Sequence, residues 1–378
     1  MSGVFSNVSA VELGVVAAQE TLRRAGAQPE QLDEVIFGCV LTAGQGQNPA
    51  RQIALGTGVP QGAPAFTVNK VCGSGLKAIE LAWQSVLLER NDAVLAGGAE
   101  NMTRAPYLLP TLRAGARLGD ASAVDSLVHD GLWEIFNGYH MGITAENIAE
   151  KYGITREEQD AFAIESQRRY AEAAESGRYK DEIVPVTVKQ RRKEVVIDTD
   201  EHPKPGSSLE KIAALRTAFK KDGTVTAANA SGINDGAASV LVVAEDALPE
   251  GVRAENAVYL RDVRSCGCDP AYMGLGPIGA VKKILEKNGL SAGDIDLWEL
   301  NEAFAAQSIA VIRDLGVDAE KVNVNGGAIA LGHPIGCTGA RVTTTLIHEL
   351  KRRQARYGIA AMCIGGGMGI GCLVENKV

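Results

Sequence analysis

Aromatic residues are scarce in this chain, with 3 Trp, 8 Tyr and 7 Phe among 378 residues, and positive charge is in deficit. A net charge of −8 excludes a surface that clings without specificity to nucleic acid or to an anionic membrane. Long apolar runs are missing as well. No stretch reaches the roughly 20 residues of a membrane-crossing helix, and no signal peptide is read at the start. Seven cysteines, an odd number without a framework, exclude a disulfide-stapled scaffold. They predict free thiols in a reducing compartment, hence a cytoplasmic protein. Cys266-Gly267-Cys268 is too tightly spaced for a zinc knuckle and has no second pair nearby. It is read as structural, and no metal is expected.

What the chain does have is glycine, 43 residues gathered in short motifs instead of a linker. At this length more than one domain is expected. A long internal repeat supports that. Leu22 to Gly26 followed by Leu32-Asp33 is matched by Leu285 to Gly289 followed by Ile295-Asp296, at the same spacing. Each copy reads as a helix, a glycine C-cap, a short loop and a strand. Each half then ends in an apolar strand beside a glycine cluster, Ala93 to Glu100 and Ile359 to Gly367. A period this long predicts a duplicated α/β domain, with mainly parallel sheets covered by helices on both faces.

Residues 104–229 break the pattern with prolines and many charges. Helices are predicted over 143–152 and 156–176 and a strand over 183–188. This stretch is too long for a plain loop. It is read as an inserted subdomain over the first half, which comprises 1–103 and 230–253. Residues 254–378 make the second half.

Cys72 lies where a predicted strand, Ala65 to Val68, turns into a predicted helix, Leu76 to Leu88. A thiol at a helix N-terminus is expected to favour the thiolate. Gly73 and Gly75 are expected to clear space for a substrate carbonyl and to free backbone N–H groups for an oxyanion. A buried structural cysteine is the competing reading. In the second half, Asn301 follows an apolar strand, where it can orient a water or carbonyl or simply cap a helix. His333, between Gly332 and Pro334, is expected to be accessible on a pinned backbone. Cys363 ends a strand before Gly365-Gly366-Gly367, where ligands of open α/β sheets gather.

Together, Asn69-Lys70-Val71-Cys72-Gly73-Ser74-Gly75, Asn301-Glu302-Ala303-Phe304, Gly332-His333-Pro334 and Cys363-Ile364-Gly365-Gly366-Gly367 resemble the four catalytic blocks of the thiolase family, in the family's order. The resemblance covers nearly the whole chain and is nearest to the acetyl-CoA C-acetyltransferase branch. It implies duplicated α/β domains with helix-covered mixed sheets and an inserted loop subdomain. It implies Cys72 as nucleophile, Cys363 as the carbon base, and His333 with an Asn301-held water as enolate partners. Backbone N–H groups of Cys72 and Gly365 would hold the oxyanion. Coenzyme A would be a substrate and product, no cofactor would be needed, and acetyl-CoA and acetoacetyl-CoA would be the partners of a homodimer or homotetramer. Ser231, His140, Met141, Phe219, Ala303 and Phe304 would line the thioester and pantetheine, and Lys204, where a relative carries Arg, would face the CoA phosphates. Such proteins open with a strand bearing Ala-Arg-Thr-Pro. This chain opens Met1-Ser2-Gly3-Val4, so the resemblance implies that the first central strand is missing. A degradative 3-ketoacyl-CoA thiolase of broader chain length and an inactive CoA- or lipid-binding scaffold are the alternatives; a β-ketoacyl synthase is disfavoured because it carries a histidine where Cys363 stands.

Overall fold

A computed structural model describes residues 1–190, 193–254 and 257–377. The first half contributes α1 (Ala10–Ala25), β1 (Glu34–Gly38), α2 (Pro49–Thr57), β2 (Ala65–Val68), α3 (Ser74–Leu87) and β3 (Ala93–Asn101). The intervening segment carries short strand pairs β4–β5 (Tyr107–Leu108, Val124–Asp125), β6–β7 (Trp133–Glu134, Tyr139–His140) and β8–β9 (Val186–Gln190, Lys193–Ile197). It also carries α4 (Met141–Tyr152), α5 (Arg156–Glu175) and α6 (Leu209–Ala213). Then follow β10 (Asp235–Val243), β11 (Tyr259–Gly267), α7 (Gly276–Asn288), β12 (Leu297–Leu300), α8 (Ala305–Leu315), α9 (Ala328–Leu331), α10 (Thr338–Arg353), β13 (Tyr357–Ile364) and β14 (Met368–Glu375).

The chain repeat is a repeat of topology. One sheet has the order β10-β3-β1-β2 and the other β11-β14-β13-β12. In both, a parallel pair (β1 with β3, β12 with β13) is followed by an antiparallel one (β3 with β10, β13 with β14). The sheets are therefore mixed, with more antiparallel pairing than strand–helix alternation predicts. The hairpin between β13 and β14 is only three residues, Gly365 to Gly367, so it returns the chain directly without a crossover helix. Helices α1 and α7 end alike, on Gly26 and Gly289 with left-handed φ of 77° and 63°.

Alternation along each strand makes five layers. On β1, Val35 and Phe37 face α1 and α2, while Ile36 faces inward. On β13, Ile359 and Ala361 face α7 and α8, while Ala360, Met362 and Ile364 face inward. The inward sets of both sheets share one core with Leu76 and Ile79 of α3 and Leu346 and Leu350 of α10. The two halves thus meet through α3 and α10. These helices approach with glycine between them: a Cβ on Gly75 would lie 2.8 Å from Ala340 N, and one on Gly339 would lie 2.2 Å from Leu76 N.

The inserted segment packs on both halves: Leu127 meets Val40 and Leu41 of the first half, as the sequence reading expects, and its helices lie on the second. Ile148 of α4 and Ile154 meet Ala310 of α8, and Ala163 of α5 meets Ala305 and Ile329. Among the described residues no strand covers the outer edge of β10, whereas β11 covers the corresponding edge of β14. A cavity of about 1060 Å³ lies beside that edge, between Val16 and Ala17 of α1 and Arg341, Thr344 and His348 of α10. No described helix is long and apolar enough to cross a membrane.

Candidate active site

Cys72 sits in a tight turn between β2 and α3. Val71, a β-branched residue, takes φ of +47° there, a conformation rare for such a side chain. Ser74 holds the turn: its hydroxyl accepts from Lys70 N–H at 2.8 Å and donates to Val71 O at 2.6 Å. Space beside the sulfur is not what Gly73 and Gly75 provide. A Cβ on Gly73 would strike Ile364 Cδ1 at 2.5 Å, so both glycines serve packing against the second half. The thiol is also not a ready thiolate. Burial pushes Cys72 up to about 11, although the backbone N–H groups of Gly365 and of Cys72 itself bond to the sulfur and pull the other way. Desolvation outweighs these hydrogen bonds.

Cys363 lies one residue before the end of β13 and is fully buried. Burial pushes its thiol well above the usual range, and the neighbouring sulfurs of Cys72 and Cys268 add to that. Cys266 and Cys268 hold no metal-like set among the described residues; the Cys266 thiol instead points to Gly276 O at 3.2 Å.

Asn301 follows β12 but does not cap a helix, since α8 starts at Ala305 with Phe304 as its N-cap. Its backbone N–H donates to Ala361 O at 2.9 Å, and its side-chain Nδ2 lies 3.5 Å from His333 Nε2. Among the described residues its buried Oδ1 has no hydrogen-bond partner. His333 is 6% exposed, not accessible as expected, because α9, which the sequence does not announce, folds the glycine-rich loop inward. Its Nδ1 meets Thr338 Oγ1 at 2.6 Å, and its backbone N–H donates to Asn234 Oδ1 at 3.1 Å. Burial drives its pKa down to about 3, and Arg341 adds to that effect, so the ring rests neutral.

Two buried acids to which the sequence reading gives no role, Glu100 and the Glu302 of the Asn301 block, fasten these loops. Glu100 accepts backbone N–H bonds from Val40, Leu41 and Gly336 at 2.9, 3.1 and 3.0 Å, tying the first half to the His333 loop. Glu302 accepts from Ser166 Oγ, Asn323 Nδ2 and Ile329 N–H at 2.7, 2.9 and 3.1 Å. An acid within an otherwise apolar strand end was the available signal.

One wall of the site is an apolar cluster in which Met141, Ala303, Phe304 and Phe219 surround Cys363. His140 stacks on Phe219 with centroids 4.7 Å apart, and Phe219 meets Phe304 edge-on at 6.2 Å. His140 Nδ1 accepts from Gly142 N–H at 3.0 Å, which leaves the Nε2 side to carry the proton, and burial lowers its pKa. Ser231 joins through its N–H to Ala303 O at 3.0 Å. Lys204 is outside the cluster: its side chain is exposed, and its N–H donates to Gln167 Oε1.

Two thiols from different halves, a neutral imidazole and an asparagine therefore converge at strand ends, and this set decides the comparison. Residues 1–246 match the family profile of the thiolase N-terminal domain, and residues 254–376 that of the thiolase C-terminal domain. The chain belongs to the thiolase family. It is 55% identical over 372 residues to an acetyl-CoA acetyltransferase of Pseudomonas aeruginosa, covering 97% of this chain and 94% of that protein. A second acetyl-CoA acetyltransferase, of Syntrophomonas wolfei, is 54% identical and covers 99% and 95%. Among solved structures, Bacillus anthracis acetyl-CoA acetyltransferase has a TM-score of 0.96 at 46% identity, and human mitochondrial 3-ketoacyl-CoA thiolase has 0.96 at 41% identity; each comparison covers 99% of this chain and 95% of the other. As a thiolase, the chain is an acyltransferase of mixed α/β fold.

Proposed function

We propose that this thiolase transfers an acetyl group from one acetyl-CoA to another, reversibly, giving acetoacetyl-CoA and CoA through an acetyl-Cys72 intermediate. The observation that carries this reading is the meeting of Cys72 with Cys363 and the Gly365 N–H, beside the Asn301–His333 pair.

His333 Nε2 takes the Cys72 proton as the sulfur attacks the thioester carbonyl. Cys363, a thiol at rest, gives its proton to the departing CoA sulfur and becomes a thiolate beside the imidazolium. That thiolate, strongly basic in its apolar surroundings, removes a methyl proton from the second acetyl-CoA. The enolate oxygen is held by the His333 Nε2–H and by a water on Asn301. The new carbon–carbon bond forms at the acetyl-Cys72 carbonyl, whose oxyanion faces the N–H groups of Cys72 and Gly365. Collapse expels the Cys72 thiolate, which recovers its proton from His333. Every proton and electron pair is carried by these side chains, so the cycle as written draws on no metal or redox cofactor.

Met141, Phe219, Ala303, Phe304, Ser231 and His140 would receive the thioester and pantetheine. Lys204 would reach the CoA phosphates from the exposed segment. A second reading, a 3-ketoacyl-CoA thiolase of broader chain length, has the likeness to the human mitochondrial thiolase in its favour. We place the protein in the cytoplasm, in keeping with seven free cysteines, and as a homodimer or homotetramer, in keeping with exposed Leu112, Leu118, Ile135 and Phe136. Thiolysis of 3-ketoacyl-CoA substrates of increasing length tests the function. Turnover confined to acetoacetyl-CoA is expected. Equal rates on long chains would transfer the assignment to the second reading, and no turnover at all would leave only the scaffold.

A further inference from the structure

The structure assigns to Thr338 the task of fixing the tautomer of His333, keeping the proton on Nδ1 so that the Nε2 lone pair faces the site. Thr338 is thereby a positioning residue that acts through His333.

A threonine hydroxyl has one hydrogen to give and can accept as well. Thr338 Oγ1 donates to Pro334 O at 2.9 Å. It lies 2.6 Å from His333 Nδ1, so with its hydrogen spent it receives the Nδ1–H. The other side of the ring agrees. Asn301 Nδ2, a donor only, faces Nε2 at 3.5 Å, which suits a bare nitrogen there. Buried rings keep the tautomer whose partners are satisfied, because an orphaned donor in the interior is costly.

The reverse arrangement lies close at hand, which is why a fixing residue is needed. If the hydroxyl turned to donate to Nδ1, the proton would move to Nε2. Asn301 could then rotate its amide and offer Oδ1, which has no partner among the described residues. In that state the ring has no lone pair toward Cys72. Thr338 also opens α10, the helix that meets α3 across the two halves, so its hydroxyl is anchored by the packing that positions Cys72.

What Nε2 then serves rests on the catalytic reading above, but the tautomer does not, and the two can be tested apart. Protein labelled with 15N-histidine reports which ring nitrogen bears a proton, and His333→Asn identifies the signal among the five histidines. The expected wild-type pattern is a protonated Nδ1 and a bare Nε2; a protonated Nε2 overturns the assignment. Thr338→Val is expected to move the proton to Nε2 and to slow acetylation of Cys72 by acetyl-CoA, followed by mass spectrometry, by about 100-fold or more, the usual range for a lost general base. Thr338→Ser is expected to keep both the wild-type spectrum and the rate within a few-fold. A valine variant that retains Nδ1–H and full acetylation overturns the role, and if that variant does not fold, the wild-type and serine spectra still decide it. An Nδ1–H ring in a protein whose Cys72 is never acetylated would instead sink the catalytic reading and leave the tautomer standing.

Discussion

Gly339→Ala sets two energies of opposite sign against each other. In a helix interior alanine is favoured over glycine by about 1 kcal/mol, and less in the first turn, where Gly339 stands. Helix propensity alone therefore predicts a more stable protein. Against it stands contact: the new methyl would lie 2.2 Å from Leu76 N and 3.0 Å from Leu76 Cα, both backbone atoms of α3. A flexible side chain could swing aside, but a helix backbone moves only as a body. Forcing a methyl into a filled core costs about 1–3 kcal/mol, with the upper part of that range applying when backbone must yield. The net expectation is a loss of about 1–2 kcal/mol, read as a lower denaturant midpoint at unchanged slope. The effect on thiolysis should be larger than this loss implies. Cys72 precedes α3 and His333 precedes α10, so any spreading of the two helices moves nucleophile and base apart, and a misplacement near 1 Å costs on the order of 100-fold. A variant as stable as wild type, or more so, with undiminished thiolysis would show that α3 and α10 do not approach as described and that propensity governs the site.

Cys72→Ala is expected to abolish acetyl-enzyme formation; stoichiometric acetyl on that variant after acetyl-CoA treatment, seen by mass spectrometry, would remove Cys72 from its role. Cys363→Ala should still show acetyl on Cys72 after long incubation but lose exchange of the acetyl-CoA methyl protons in deuterated water, and retained exchange would point to another base. Glu299 is buried, 3.4 Å from Arg341, and burial raises its carboxyl to about 8 despite that cation. Its folded form binds the proton more tightly than the unfolded chain does, so it costs stability progressively as pH rises from about 4.5 toward 8. Glu299→Gln should flatten the fall in unfolding midpoint across that window, and identical pH profiles for variant and wild type would refute the buried charge.

The duplicated fold was legible because helix stops and strand starts are local. Gly26 and Gly289 announce their C-caps from sequence, and the spacing to Asp33 and Asp296 repeats without any knowledge of contacts. Cys72, Asn301, His333 and Cys363 stood out for a similarly local reason, each beside the end of an apolar strand or within a glycine-rich loop, and the structure sets Cys363 one residue before the end of β13, ahead of a hairpin and not a helix. What sequence could not supply was the neighbour across the interface. Gly73 and Gly75 read as room for a ligand, yet Ile364 and Ala340 fill that room, and nothing local distinguishes the two uses. The proton state of Cys72 was misjudged likewise: a helix N-terminus is visible in sequence, but burial of the sulfur is a property of the assembled site. Thr338 reads as an ordinary residue at the start of a helix until His333 is placed against it. The insertion is expected over the first half and touches it through Leu127, but its contacts with the second half through Ile148 and Ala163 are not read, because apolar faces carry no address in sequence.

The edge of β10, uncovered among the described residues, makes the two halves unequal in time. Their sheets have the same order, but β14 is covered by β11, while β10 faces the hollow beside α1 and α10 with most of its residues only half buried. Exchange of backbone hydrogens in a native protein begins where hydrogen bonds are few and water is close, and finishes where opening requires the whole core to part. Solvent deuterium should therefore enter the first sheet through β10 well before it reaches β13 and β14. Of the two strands that carry catalytic loops, the one bearing Cys363 would then be held by the slower half, and the turn bearing Cys72 by the half that breathes.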